Sequence, residues 1–500
     1  MSERKLVLAI DQGTTSTRAI AFDEEGRPRA AAQRPLTQYF PAPGRVEHDA
    51  EEIWRSVLEV SRQVLRETGN DAIAAIGITN QRETTLLWER ATGRPIGNAI
   101  VWQDRRTADL CTALRDEGWG PHVAESTGLV IDPYFSATKL AWMLDTVPDA
   151  RARAERGELC FGTVDAFLLF KLTGGLHATD ASNAARTMLY DINEGAWDER
   201  LLDRLRIPRA ALPEVRDSQG RFGESEIEHF GVKVPITGML GDQQAAAFGQ
   251  ACFTSGALKA TFGTGCFVVA NSGDTKVQSA SRMLATIFHQ RNGKRTYALE
   301  GAIFMAGATV QWLRDGLGVI GSAEESEELA ASSDPKSGVY LVPAFQGLGA
   351  PFWDSGARAA ITGMTRASTK ADIVAAGLEA VAFQTRDLLD AMTRDMAVSG
   401  LPSPETVRAD GGMTANGWFM QRLADILQKP VECALMAETT ALGAAYIAGQ
   451  AVGFYGDDSE LAAHRISVKT FVPKMGANQS AERHAGWLNA VSKVRSVREG

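Results

Sequence analysis

The 500-residue chain has only five cysteines, and no two of them stand in a CxxC spacing. Cys111, Cys160, Cys252, Cys266 and Cys433 are odd in number and far apart, which excludes a disulfide framework or a cysteine-held zinc site. They read as free, buried thiols in a reducing compartment. Histidine is scarce as well, with seven residues scattered and none at metal-ligand spacing. An excess of positive charge is missing. The formal charge of -9 and a pI near 5.5 exclude a chain built to hold nucleic acid through its overall charge. A local positive site for an anionic substrate stays open. No apolar run is long enough to span a membrane, and the first one ends at Asp11, too early for a signal peptide. A cytoplasmic protein is expected. A low-complexity linker and the GxxxxGK[ST] phosphate loop are also absent.

What is present is ordinary globular composition, 44% apolar and 23% charged, over a length that exceeds one compact core. Two large domains are expected, 1–252 and 253–500, with the boundary near Ala251–Gly256. Lys5–Ile10 and Ser16–Phe22 are strand-like runs joined by a small-residue turn, Asp11-Gln12-Gly13-Thr14-Thr15. Asp49-Ala50-Glu51-Glu52 has the pattern of a capping box. It opens a helix with Ile53, Val57, Val60 and Val64 on one face, ending near Gly69. Ile73–Thr79 is a buried-type strand running into Asn80-Gln81-Arg82-Glu83. Half a chain later the layout repeats: strand Ala257–Phe262, turn Gly263-Thr264-Gly265, strand Cys266–Ala270. A third glycine corner, Asp410-Gly411-Gly412, separates strand-like Thr406–Ala409 from a helix over Asn416–Leu427. Glu438–Gly449 is an alanine- and glycine-rich helix suited to close packing, and the polar tail after Phe454 is uninformative. These successions indicate an α/β protein with mixed sheets.

Turns of small and hydroxyl residues converge backbone N–H groups on one point and so suit a phosphate. The plain alternative at each of the three turns is a hairpin or strand-to-helix corner. Asp11 is either a carboxylate for hydrated Mg2+ or the acceptor of an Asx-turn. Asp242, between a short apolar strand and an alanine-rich helix, is either a helix N-cap or a general base. Arg82-Glu83 offers a donor and an acceptor for a polyol hydroxyl, or a surface ion pair. Trp102 and Tyr134 are pocket walls or core.

A set of longer strings decides between these readings. DQGTTSTRA, ITNQRETTLLWE, NAIVWQDRRT, GLVIDPYFSATKLAW, FGTVD, LTGGLHATDASNAARTML, GDQQAAAFGQACF, TFGTGCF, EGAIFMAGATVQWLRDGL and ADGGMTAN occur in order from about Val7 to Gly449. The chain thereby resembles the FGGY carbohydrate kinases, in particular those that act on glycerol. The resemblance implies two actin-like (ribonuclease-H-like) domains with mixed sheets flanked by helices and a cleft between them. It implies in-line transfer from MgATP to glycerol, giving sn-glycerol 3-phosphate, the first step of glycerol catabolism. By matching motif, Arg82, Glu83, Tyr134, Asp242 and Gln243 hold glycerol, Trp102 and Phe267 face its carbons, and Asp242 is the base. Thr14, Thr15, Ser16 and Arg18 lie near the transferred phosphate, and Asp11 serves Mg2+. Thr264, Gly307, Gln311, Gly412 and Asn416 contact the nucleotide. A homodimer or homotetramer is expected. Rival readings are another FGGY kinase, for xylulose, erythritol or gluconate, and a non-catalytic actin-like ATPase.

Two departures stand out. Members under fructose 1,6-bisphosphate control carry a glycine- and lysine-rich loop where this chain has the acidic Glu224–Lys233. His229 lies near a histidine that some relatives have phosphorylated, and an ordinary exposed loop histidine is the expectation here. Asn183-Ala184-Ala185-Arg186 replaces the more usual Asn-Ala-Ser-Arg, a minor change.

Overall fold

The computed structural model describes residues 6–69, 72–434, 436, 438–465 and 467–496. They form two compact units: one comprises the described parts of Met1–Phe253, Ala285–Ala298 and Glu438–Arg465, the other those of Thr254–Leu284, Leu299–Ala437 and Ile466–Gly500. In each unit a mixed sheet is flanked by helices.

The first unit is built on β1 (Leu6–Gln12), β2 (Ser16–Phe22), β3 (Pro28–Pro35), β4 (Ile73–Asn80), β5 (Gln219–Glu224) and β6 (Pro235–Gly241). Their order is β5-β6-β4-β1-β2-β3. β1 and β6 both run parallel to β4, and β1 to β3 form an antiparallel meander. β1 is buried along its whole length, as a continuous apolar run demands when both faces are covered. One cover is the helix Ala50–Thr68, whose Ile53, Val57, Val60 and Val64 are all fully buried. Asp49 caps it by accepting the Glu51 N–H at 2.9 Å. The expected capping box does not close, because Glu52 instead accepts from the Thr37 N–H and hydroxyl at 3.0 and 2.9 Å.

The alanine- and glycine-rich helix Thr439–Ala451 covers this sheet too. A Cβ on Gly443 would stand 1.9 Å from the Ala245 carbonyl oxygen, and one on Gly249 2.0 Å from that of Thr439. The backbones of this helix and of the helix Asp242–Gly249 therefore approach as closely as glycine allows.

The second unit carries β7 (Leu258–Phe262), β8 (Cys266–Gly273), β9 (Val407–Asp410), β10 (Val431–Ala434) and β11 (Ser467–Phe471). β7 pairs antiparallel with β8 and parallel with β9, the same arrangement that β1 makes with β2 and β4. The repeat read from the two hairpins is thus a repeat of topology. The helix Lys370–Val398 runs along this unit's core. The polar tail holds a surprise, the helix Ala477–Val494, whose fully buried Trp487 donates to Asp387 at 2.7 Å. All five cysteines are free and buried. His229 is half-buried rather than exposed. Its Nε2 lies 3.0 Å from the Lys171 carbonyl oxygen and its ring meets Trp54 edge-on. No helix among the described residues is long and apolar enough to cross a membrane.

Candidate active site

Sheet register gathers the first unit's candidates. Gln12 at the end of β1 and Gly241 at the end of β6 both pair with Asn80 at the end of β4. Three parallel strands therefore stop at one level, and the three segments that follow emerge side by side from their carboxyl ends. In open α/β sheets this edge is where ligands bind.

The segment after β1 is a tight turn, closed by the Gly13 N–H donating to the Ser16 carbonyl at 2.9 Å. The hairpin-turn reading of this stretch is therefore what the backbone forms. Gln81 holds it from the neighbouring segment: Nε2 donates to Gln12 Oε1 at 3.0 Å and to the Gly13 carbonyl at 3.2 Å. Trp102 Nε1 donates to the Thr14 hydroxyl at 2.9 Å. Thr15 is exposed at the tip, while the buried Ser16 hydroxyl accepts from Gln33 at 3.0 Å. Arg18, opposite Asp11 in the register, pairs with Glu438 at 2.7 Å.

The Asp11 carboxylate accepts no hydrogen bond among the described residues. Burial, with Asp242 and Glu438 adding to it and Arg18 opposing, pushes its carboxyl up to about 7. The Asx-turn is therefore not formed. A carboxylate without a donor and flanked by two others is an environment that a cation relieves. No group of three His, Cys, Asp or Glu side chains suited to a metal occurs among the described residues. Mg2+ commonly needs only one or two carboxylates beside phosphate oxygens and water, and Asp11 fits that demand.

The segment after β4 carries Arg82 and Glu83, both almost fully buried and so no surface pair. Glu83 has φ of 61°, a left-handed conformation uncommon for a non-glycine residue. Arg186 Nε donates to its Oε1 at 2.6 Å, and its main-chain carbonyl accepts from Ser136 at 2.9 Å. Arg82 Nη1 donates to Gln244 Oε1 at 3.1 Å, and its Nε lies 3.2 Å from Asp242 Oδ1. Tyr134 and Trp102 meet edge-to-face, with centroids 5.5 Å apart. Beneath Tyr134, the buried Lys139 donates to its carbonyl at 2.9 Å, and burial brings the Lys139 amine down to about 7.

The segment after β6 is the helix Asp242–Gly249. Gly241 takes the N-cap position and Asp242 is the first helical residue, so Asp242 is not the cap. Its Oδ1 nevertheless accepts the Gln243 N–H at 2.7 Å, and the first turn of a helix favours negative charge. The structure thus brings Asp11, Arg18, Arg82, Glu83, Asp242, Gln243, Trp102, Tyr134 and Thr14 to the carboxyl edge of one sheet. Glu438, Gln81, Lys139 and Arg186 join them without having been singled out from sequence. Lys139 is on an ordinary helical position, Arg186 lies in the turn after a four-residue helix, and Glu438 is more than 400 residues from Arg18, so no local pattern marks them.

The second unit holds Phe267 and the remaining candidates. Thr264 lies exposed in a turn latched to the helix Gly307–Gln311: the Ala306 and Ala308 N–H groups donate to the Thr264 carbonyl at 3.1 and 3.0 Å. Gly307 is required there, because a Cβ would stand 2.6 Å from the Gly263 carbonyl oxygen. Gln311 and Gly412 are exposed. Asn416 caps the helix Gly417–Leu427 by accepting the Phe419 N–H at 2.8 Å, and donates to Ser326 at 3.1 Å. Phe267 is half-buried on β8, opposite Thr261.

Family models for the FGGY family of carbohydrate kinases match the chain twice, the N-terminal domain over residues 6–249 and the C-terminal domain over 258–452. A glycerol kinase of Ectopseudomonas mendocina is 55% identical over 495 residues, covering 98% of this chain and 99% of that one. A glycerol kinase of Xanthobacter autotrophicus is 57% identical over 488 residues, covering 97% and 98%. The crystal structure of Plasmodium falciparum glycerol kinase with ADP superposes with a TM-score of 0.94 at 36% identity, over 99% of both chains.

Proposed function

The chain belongs to the FGGY family of carbohydrate kinases, and from that premise we propose that it transfers the γ-phosphoryl group of ATP to glycerol, giving ADP and sn-glycerol 3-phosphate. The observation that carries this reading is the buried pair Arg82 and Glu83 beside the partly exposed Asp242 at the strand ends, in a chain more than half identical to proteins named glycerol kinase. A neutral triol needs donors and acceptors together, and this set supplies both.

Asp242 accepts the proton of the attacking hydroxyl. The 3.2 Å contact with Arg82 aims its carboxylate, and the Gln243 N–H holds the same oxygen. Arg82, Glu83, Tyr134 and Gln243 orient glycerol, with Trp102 and Phe267 against its carbons. Thr14, Thr15, Ser16 and Arg18 attend the transferred phosphoryl group. Thr264, Gly307, Gln311, Gly412 and Asn416 belong to the nucleotide. Asp11 is the residue to hold Mg2+, which when bound neutralises phosphate charge. In such a transfer positioning and charge neutralisation do most of the work, and the protein has little covalent chemistry to perform.

A coupled assay of ADP release across glycerol, xylulose, erythritol and gluconate tests the reading. Highest kcat/KM for glycerol is expected; preference for a sugar, or ATP hydrolysis indifferent to every hydroxyl compound, overturns it. A homodimer or homotetramer and a cytoplasmic setting go with this reading, and light scattering coupled to gel filtration checks the assembly.

A further inference from the structure

One short segment touches both halves of the substrate machinery. Ala178–Asp180 is a strand, Ala181–Ala184 a single helical turn, and Arg186 follows. Asp180 is fully buried and anchors the turn. It accepts the Ser182 N–H at 2.9 Å, the Asn183 N–H at 3.0 Å, Asn183 Nδ2 at 2.9 Å and the Ser218 hydroxyl at 2.6 Å. From that anchor three side chains reach out. Asn183 Oδ1 accepts from Asn80 Nδ2 at 3.0 Å, at the end of β4, just before Arg82 and Glu83. The Ser182 hydroxyl accepts the Gly241 N–H at 3.0 Å, next to Asp242. Arg186 Nε donates to Glu83 Oε1 at 2.6 Å.

The Arg186–Glu83 pair is wholly buried, and the guanidinium lies against the rings of Tyr134 and Phe135 at 5.8 and 5.4 Å. Arg186 is thereby fixed by planar contacts as well as by charge. Glu83, held in a left-handed conformation, needs such determination from its surroundings to keep one orientation. A single rigid turn therefore ties the acceptor Glu83 and the base Asp242 to one common reference.

We propose that Arg186, Asn183 and Ser182 form a positioning element that fixes Glu83 relative to Asp242, and that this spacing selects which hydroxyl of a vicinal polyol faces the base. The proposal rests on the glycerol-phosphorylating reading of the same site. Arg186 and Ser182 are positioning residues and need not touch substrate. If the element only supported the fold, its loss would lower activity toward all alcohols together with stability. If it sets the spacing, its loss erodes discrimination between alcohols that differ by one hydroxyl, because that discrimination comes from an aligned buried acceptor.

The test compares glycerol with propane-1,3-diol and propane-1,2-diol, using the full chain with saturating MgATP. Arg186→Lys keeps the charge but loses the planar fork. It is expected to lower kcat/KM for glycerol by about 10²-fold, the scale of a 1 Å misplacement, while kcat/KM for the diols falls much less. The KM for ATP and the thermal midpoint are expected to stay at the parent values. Ser182→Ala, which leaves the Arg186–Glu83 pair intact, is expected to lower kcat for glycerol more than it raises KM, and Ser182→Thr to restore it. An unchanged ratio of glycerol to diol kcat/KM in both Arg186→Lys and Ser182→Ala overturns the proposal. If Arg186→Lys fails to fold, the Ser182 pair decides by the same ratio. A parent chain that phosphorylates no glycerol defeats the functional reading; a parent that does so with insensitive variants defeats the positioning element alone.

Discussion

Replacing Asp242 with asparagine is expected to remove a proton acceptor and little else. Its Oδ1 accepts the Gln243 N–H at 2.7 Å, and asparagine keeps an oxygen at that place. Arg82 loses the charge of its 3.2 Å partner but retains Gln244 Oε1 at 3.1 Å and Glu83 Oε1 at 3.8 Å, so the buried guanidinium is not stranded. The Asp242 side chain is 30% exposed, and a partly solvated ion pair contributes about 1 kcal/mol or less to stability. An aligned base contributes ~10²–10⁴ in rate. At about 1.36 kcal/mol per tenfold that is ~3–5 kcal/mol of transition-state stabilisation. The chemical effect therefore exceeds the structural one several-fold. The assay is steady-state ADP release for kcat and KM, with calorimetry for MgATP affinity and urea unfolding for stability. A loss of at least ~100-fold in kcat is expected, with nucleotide affinity and unfolding midpoint close to the parent. A variant that keeps the parent kcat would show that Asp242 is not the base. A loss of kcat accompanied by an equal loss of stability would show that its role is structural.

Three further perturbations follow from the geometry. Asp11→Asn is expected to abolish the dependence of kcat on free Mg2+ in the range where the parent responds, along with most of the activity; a parental Mg2+ titration in the variant would remove Asp11 from the metal. Asp165 is fully buried, and burial, with Asp180 adding to it, pushes its carboxyl up from 3.8 to about 7. The folded state thus holds a proton that the unfolded chain releases, so the contribution of Asp165 to stability is full below pH 4 and is lost as pH rises through 7. The three-unit gap corresponds to at most ~4 kcal/mol. Asp165→Asn is expected to flatten urea-unfolding free energy between pH 5 and 8, and an unchanged slope would refute the assignment. Gly443→Ala forces a Cβ to 1.9 Å from the Ala245 carbonyl and is expected to cost ~1–3 kcal/mol or more by overpacking, measured as a lower urea midpoint.

Much of this architecture is local and was therefore readable. Apolar runs broken by small hydroxyl residues specify hairpins, and Ile53, Val57, Val60 and Val64 at helical spacing specify a buried helix face, because periodicity is a property of neighbours along the chain. Glycine and alanine between Thr439 and Ala451 likewise announce close packing before any partner is known. Five scattered cysteines spoke against a disulfide scaffold in the same way, and all five are free. The tail is uninformative locally, because its short apolar stripe of Trp487, Ala490 and Val491 sits among polar residues; Trp487 anchors the helix to Asp387 a hundred residues earlier.

The site depended on what no local pattern encodes. DQGTT, by itself, allowed an Asx-turn, and only the fold shows Asp11 left without a donor between Asp242 and Glu438. Asp242 allowed an N-cap, and only the end of β6 shows Gly241 in that place. Arg186 reaches Glu83 across 103 positions, and Arg18 reaches Glu438 across 420. The sequence by itself determined the elements, the family and the residue types that meet a polyol and a phosphate. The tertiary structure decided which of them converge, because the parallel order β6-β4-β1 ends three distant segments at one level, and convergence belongs to sheet order rather than to any stretch of chain.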